Sequence, residues 1–234
     1  MSSNNCDKTL NCLIKNKIKL ICIDFDNTLL SIHTYGKWDD TALNLAKHVR
    51  PEFKLFISKC LQQNIYIGIV TFSSQTELVI DVLKHVFKED SKKIFVKTTN
   101  MSYKSKTKFC DKLLIENNIK MERKIPMMLS IMFDIYTDSN IIVPIKSVLL
   151  IDDDWANISS AKNNGFHSYH YKNSSDISMY NQLQSLEGFN KSTSYTFIIG
   201  AKCKLFIIVL IILYAFWNDI TKKQYGTRLS TIQI

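Results

Sequence analysis

Short, nearly unbroken apolar runs alternate along the chain with stretches whose apolar residues recur every three or four positions. The runs are Ile18–Asp24 (IKLICID), Ile65–Thr71 (IYIGIVT), Ile94–Lys97, Ser147–Ile151 (SVLLI) and Phe166–Tyr171. Between the first two, Asp40–Lys59 carries Leu43, Leu45, Ala46, Val49, Phe53, Phe56 and Ile57 at roughly helical spacing, despite Pro51. Ser74–Val86 repeats the pattern with Leu78, Val79, Val82, Leu83 and Val86, and Ser105–Glu116 with Phe109, Leu113 and Ile115. Ala156–Asn163, stopped by Gly165, and Asp176–Leu186 complete the helical series. Strands apolar on both sides need cover on both faces, and amphipathic helices between them supply it. The pattern predicts a doubly wound parallel α/β sheet of Rossmann type, with its ligand site at the carboxyl ends of the strands. Residues 1–17 read as a polar lead-in to a domain spanning 18–190. Met121–Pro144, in which MMLSIMFDIY looks strand-like between polar turns, reads as an insertion.

The tail, 191–234, contrasts with this alternation. Leu205–Trp217 (LFIIVLIILYAFW) is uninterrupted apolar sequence, preceded by Lys202 and Lys204 and followed by Asp219, Lys222 and Lys223. A bilayer takes about 20 apolar residues to span, and this run is shorter. It admits three readings: a weak C-terminal membrane anchor, a buried element, or a non-native chain end.

Composition narrows the class. With 46% apolar and 22% charged residues over 234, the chain buries a core and is neither disordered nor fibrous. That length suits one large domain with an appendage. Lys and Arg outnumber Asp and Glu by 30 to 21, a net +9 that suits phosphate-bearing or acidic partners and equally a solvated basic surface. The cysteines (Cys6, Cys12, Cys22, Cys60, Cys110, Cys203) form no C-x-x-C pair, which argues against a zinc site or a disulfide framework. A reducing, cytoplasmic compartment is expected, and the polar N-terminus lacks the apolar segment of a signal peptide.

The candidate chemistry lies where the apolar runs end. Asp24 and Asp26, two apart at the end of an extended run, project together, and paired carboxylates of this kind suit a hard cation such as Mg²⁺. The second run ends at Thr71, followed by the hydroxyls of Ser73 and Ser74 at a helix start suited to phosphate oxygens. The fourth runs into Asp152, Asp153 and Asp154, with Asn157 one turn further on. Lys104, Lys106 and Lys108 precede or open the helix between them. The histidines show no metal-ligand pattern, and Tyr35, Gly36, Lys37 and Trp38 follow the first aspartates closely.

Taken together, these segments resemble the haloacid dehalogenase-like (HAD) phosphatases of D-x-D-x-T type. IDFDNT resembles the nucleophile motif, IVTFS the second motif, and LLIDDDWAN the acidic fourth motif in its D-D-x-x-x-N form. They occur in family order over about Ile18–Tyr171. The resemblance implies that Asp24 is the nucleophile, forming an aspartyl-phosphate. It implies that Asp26 protonates the leaving group, activates water and offers its carbonyl to the metal, and that Thr71 binds phosphoryl oxygens. It implies too that Asp152 and Asp153 join Asp24 and Asp26 in holding Mg²⁺. For the family's lysine, near the start of a helix after the third strand, Lys106 is favoured and Lys108 comes next. The interval from Asp26 to Thr71 leaves no room for a large cap domain. The open site that follows favours a phosphorylated substrate that is large or polyanionic, a phosphoprotein or nucleic-acid end, with a small molecule also open. The alternative is a catalytically silent HAD-like binding or regulatory protein, membrane-associated through 205–217. A receiver-type signalling module lacks the D-x-D-x-T opening.

Overall fold

The structure, a computed structural model, describes residues 2–100, 119–172 and 176–186. The strands are β1 (Leu20–Ile23), β2 (Tyr66–Val70), β3 (Ile94–Lys97), β4 (Val148–Asp152) and β5 (His167–His170). They form one parallel sheet in the order β3-β2-β1-β4-β5. The helices are α1 (Ser2–Lys15), α2 (Ala42–Ala46), α3 (Pro51–Gln62), α4 (Thr76–Phe87), α5 (Ile125–Ser139), α6 (Trp155–Asn163) and α7 (Asp176–Gln184). This is the expected α/β class.

Alternation along each strand divides the core in two. Ile21, Ile23, Ile67, Ile69, Leu149 and Ile151 face a cluster shared with α1, α3, α4 and α7. Leu20, Cys22, Val70, Val148 and Leu150 face the other way, against α5 and α6. Both faces are dry, which is why these strands read as continuous apolar runs rather than as alternating ones.

Three stretches differ from expectation. Residues 1–17 are not merely a polar lead-in: Cys6, Leu10 and Leu13 of α1 are buried at helical spacing, and Gln184 Nε2 donates to the buried Thr9 hydroxyl (2.9 Å). The helix predicted over Asp40–Lys59 divides at Pro51, which opens α3. Proline lacks an N–H and disfavours helical geometry in the residue before it, so it is tolerated only in a first turn. Residues 121–144, expected as an insertion, contain α5, which covers one face of the sheet. Its Ile125, Met127, Met128, Leu129, Ile131, Met132 and Ile135 are all buried, and Lys97 of β3 pairs with its Asp134 (2.6 Å). A segment apolar around most of its circumference has no helical period to read. The helix expected over Ser105–Glu116 and the tail with Leu205–Trp217 lie outside the described residues. Among the described residues, no helix is long and apolar enough to cross a membrane.

Candidate active site

The register of the sheet assembles the motif residues. Ile23 of β1 lies opposite Ile69 of β2 and Ile151 of β4, so the residues that follow each strand emerge side by side. The strand order reverses direction between β1 and β4, and doubly wound sheets open a crevice at such a point.

Asp24 continues the ladder, its N–H donating to the Ile151 carbonyl (2.9 Å). The chain then leaves the sheet in a wide turn over Phe25–Leu29, with Asn27 at φ 56°. Asparagine tolerates this left-handed conformation better than most residues. Arg50 clasps the turn from outside. Its Nε donates to the carbonyls of Thr28 (3.1 Å) and Leu30 (3.3 Å), and its Nη2 to that of Asn27 (3.3 Å).

Charge concentrates behind this turn. The Lys124 ammonium donates to Asp24 Oδ1 and lies 2.8 Å from Asp152 Oδ2. Lys124 is 2% exposed and Asp152 fully buried. Phe72 lies under the ammonium, 5.4 Å from ring centroid to Nζ. Burial works against the Lys124 charge, but Asp24 and Asp152 outweigh it and hold its pKa above the ordinary lysine value. Asp24 is pushed up to about 7 by burial, with Lys124 opposing and Asp152 and Asp153 adding to the rise.

Among the described residues, three carboxylates meet one lysine here, which leaves negative charge unbalanced. Oxygens of Asp24, Asp152 and Asp153 lie within 4.8 Å of one another. The Oδ1 of buried Asn157 has no hydrogen-bond partner, while its Nδ2 donates to both Asp152 oxygens (3.1 and 3.2 Å). An all-oxygen, anionic donor set of this kind can hold a hard divalent cation, and Mg²⁺ fits it. Asp154 does something else: its carboxylate accepts from the Ala156 N–H (2.8 Å) and caps α6.

The raised Asp24 pKa sets a pH dependence. The metal-free folded state holds this proton more tightly than the unfolded chain does. The stability it contributes is therefore complete below about pH 4 and lost as pH rises through about 7. Mg²⁺ held by these carboxylates would compete with the proton, so its addition is expected to raise the melting temperature little near about pH 5.5 and much more near about pH 8. A metal-induced shift that is flat with pH, or larger in acid, contradicts this.

Asp26 stands apart from the charged cluster. Both its oxygens are held by Thr34, Oδ1 by the backbone N–H (3.0 Å) and Oδ2 by the hydroxyl (2.9 Å). His33 Nδ1 lies 3.6 Å from Oδ2. Thr34 is buried and belongs to a loop that reaches back over the site. That loop is tied down by Gln75, whose side chain accepts from the Trp38 N–H (2.7 Å) and donates to its carbonyl (3.1 Å).

Thr71 is buried at the end of β2. Its Oγ1 accepts from the Ser73 N–H (3.1 Å), which leaves the hydroxyl proton for a ligand. Asp24, Asp26, Thr71, Lys124, Asp152 and Asp153 line one open cavity of about 450 Å³, with His33, Tyr35 and Phe72 at its walls.

Of the residues singled out from sequence, Asp24, Asp26, Thr71, Asp152 and Asp153 are thus brought to one cavity. Lys104, Lys106 and Lys108 lie outside the described residues. Among the described residues the lysine found in the site is Lys124, immediately before α5, whose first turn holds Pro126. Its position at a helix start after the third strand was the available signal, hidden because 121–144 read as an insertion. Thr34 and Arg50 carry no sequence signal of their own.

No protein-family model and no curated protein matches the chain. Solved structures similar to it include HAD-like hydrolase and phosphatase domains at low sequence identity. One is the phosphatase-domain-containing N-terminal part of a Bacteroides fragilis protein, complexed with Mg. It is 14% identical, with a TM-score of 0.44, over 77% of this chain and 43% of that one. Another is the HAD domain of effector protein Lem4 from Legionella pneumophila, an inactive mutant. It is 11% identical, with a TM-score of 0.43, over 72% of this chain and 94% of that one. A predicted HAD-like hydrolase from Porphyromonas gingivalis is 14% identical, with a TM-score of 0.39, over 71% and 98% of the two chains.

Proposed function

We propose that the protein is a Mg²⁺-dependent phosphatase that hydrolyses a phosphomonoester through an aspartyl-phosphate on Asp24. The observation that carries this reading is the Asp24 carboxylate, buried at the end of the central strand, paired to buried Lys124 and flanked by Asp152 and Asp153.

In the first step a carboxylate oxygen of Asp24 attacks phosphorus while the ester P–O bond breaks. Lys124 offsets the repulsion between the nucleophile and the anionic phosphoryl group, and the Thr71 hydroxyl donates to a phosphoryl oxygen. Asp26 gives its proton to the leaving oxygen. In the second step it takes a proton from the water that attacks phosphorus, which frees phosphate and restores Asp24. Asp24, Asp152 and Asp153, with the Asp26 carbonyl, would hold Mg²⁺, which when bound adds positive charge at the phosphoryl oxygens.

The role of Asp26 has a separable signature. Asp26→Asn slows alkyl phosphates by about 10²–10⁴-fold, the range of general acid–base catalysis, and aryl phosphates with good leaving groups much less. Thr34→Val removes the hydroxyl that orients Asp26 and shows the same leaving-group bias, in weaker form. Equal losses on alkyl and aryl substrates contradict the acid role.

The reading as a whole is tested by assaying the full chain with p-nitrophenyl phosphate. Hydrolysis that needs Mg²⁺ and stops with a chelator supports it. Absence of hydrolysis, with Mg²⁺ still raising the melting temperature, favours a silent binding protein of the same fold.

A further inference from the structure

The loop over the site presents an exposed ring at the cavity mouth. Thr34–Lys37 is a tight turn closed by the Lys37 N–H donating to the Thr34 carbonyl (3.1 Å). Both central residues have positive φ, Tyr35 at 55° and Gly36 at 70°, the signature of a turn that favours Asn-Gly. Gly36 satisfies it at no cost. A tyrosine at the first central position is strained, and bulky residues there are rare. The fold does not offset that strain, because the Tyr35 side chain is not packed into it: the residue is 86% exposed.

The ring stacks on His33, with centroids 4.5 Å apart and planes 13° from parallel. The Tyr35 N–H donates to His33 Nδ1 (2.8 Å), the same nitrogen that lies 3.6 Å from Asp26. The pair forms a two-ring plate beside Asp26. Phe72, 47% exposed, also lines the cavity, beside Thr71. A phosphoryl group against Lys124 and Thr71 occupies the floor, so the rest of the ester lies toward these rings. The cavity, about 450 Å³, is within the usual size range for a small-molecule ligand.

We propose that the site takes phosphomonoesters bearing a planar aromatic group on the leaving side, and that Tyr35, backed by His33, is the platform on which that ring stacks. This rests on the phosphatase reading and adds the substrate class to it. The ring belongs either to the base of a nucleoside monophosphate or to an aryl group such as that of phosphotyrosine. Both present a flat π-face, and stacking of this kind changes affinity about ten-fold or more when the protein ring is removed.

The test compares adenosine 5′-monophosphate with ribose 5-phosphate, which both leave through a primary ribose 5′-oxygen and differ by the base, on the full-length protein with Mg²⁺. The expected result is a kcat/KM about ten-fold or more higher for the nucleotide, expressed in KM. Tyr35→Ala narrows the ratio to within about two-fold, and Tyr35→Phe keeps it. A second arm uses O-phosphotyrosine and O-phosphoserine. If the nucleotide and ribose phosphate are equal but Tyr35→Ala slows phosphotyrosine alone, the ring is an aryl leaving group. If neither arm shows a Tyr35-dependent preference, the platform is refuted. If no substrate turns over, the phosphatase reading fails. The platform is then judged by calorimetric binding of the same nucleotide and ribose phosphate. Equal affinities overturn it, and a preference lost in Tyr35→Ala supports it.

Discussion

Asp24→Asn is expected to lower turnover by on the order of 10⁴-fold or more, because a neutral amide lacks the charge that makes the carboxylate oxygen a nucleophile. The same substitution leaves the fold intact. Asp24 is pushed up to about 7 by burial and by the carboxylates around it, so its ionised form is a burden on the metal-free protein near pH 8. Asparagine has the shape of the protonated acid without that burden, and Asp152 still accepts from Lys124. The melting temperature of metal-free Asp24→Asn at about pH 8 is therefore no lower than that of the wild type. Steady-state kinetics and thermal denaturation on the same preparations check both halves. A variant that retains a tenth or more of the activity removes Asp24 from the chemistry.

Lys124→Ala has the second-largest effect, and it strikes both stability and rate. Removing one partner of a buried ion pair leaves an uncompensated charge that costs about 3–5 kcal/mol, and here two carboxylates, Asp24 and Asp152, lose their ammonium. Mg²⁺ at the three aspartates recovers part of the stability, so the variant is more metal-dependent in melting than the wild type. It does not recover the rate, which falls by about 10²–10³-fold, the usual loss on removing one donor to a developing charge. Lys124→Arg keeps the charge and separates the two effects, restoring stability more than activity because the larger guanidinium displaces the nucleophile. Lys106→Ala is the comparison, since the sequence motif pointed there. A greater loss at Lys106 than at Lys124 assigns the phosphoryl-binding lysine to the earlier segment.

Much of this was legible in the chain because buried parallel strands leave unbroken apolar runs, and a doubly wound sheet places its chemistry where such runs stop. Asp24, Thr71 and Asp152 are readable for that reason: each directly follows or ends a strand whose core positions are all apolar. Lys124 was missed because several lysines satisfy the same local description and its own helix start lay in a segment that reads as an insertion. α5 was hidden by its own hydrophobicity, and α1 by the opposite. In α1 the buried residues Cys6, Thr9, Leu10 and Leu13 lie among serines, asparagines and lysines that dominate the composition. Thr34 and Arg50 act by bringing one backbone group or side chain against a distant turn, and such contacts leave no periodic trace in a sequence.

Covalent chemistry on one residue would separate the proposed phosphatase from a metal-binding fold without activity. The full chain, mixed with ³²P-labelled aryl phosphate and Mg²⁺ and quenched rapidly in acid, should carry label on the peptide containing Asp24. The label should be released by hydroxylamine, as an acyl phosphate is, and should be missing from Asp24→Asn. Hydrolysis that proceeds with no label on Asp24, or with label on another residue, contradicts an aspartyl-phosphate mechanism at this site.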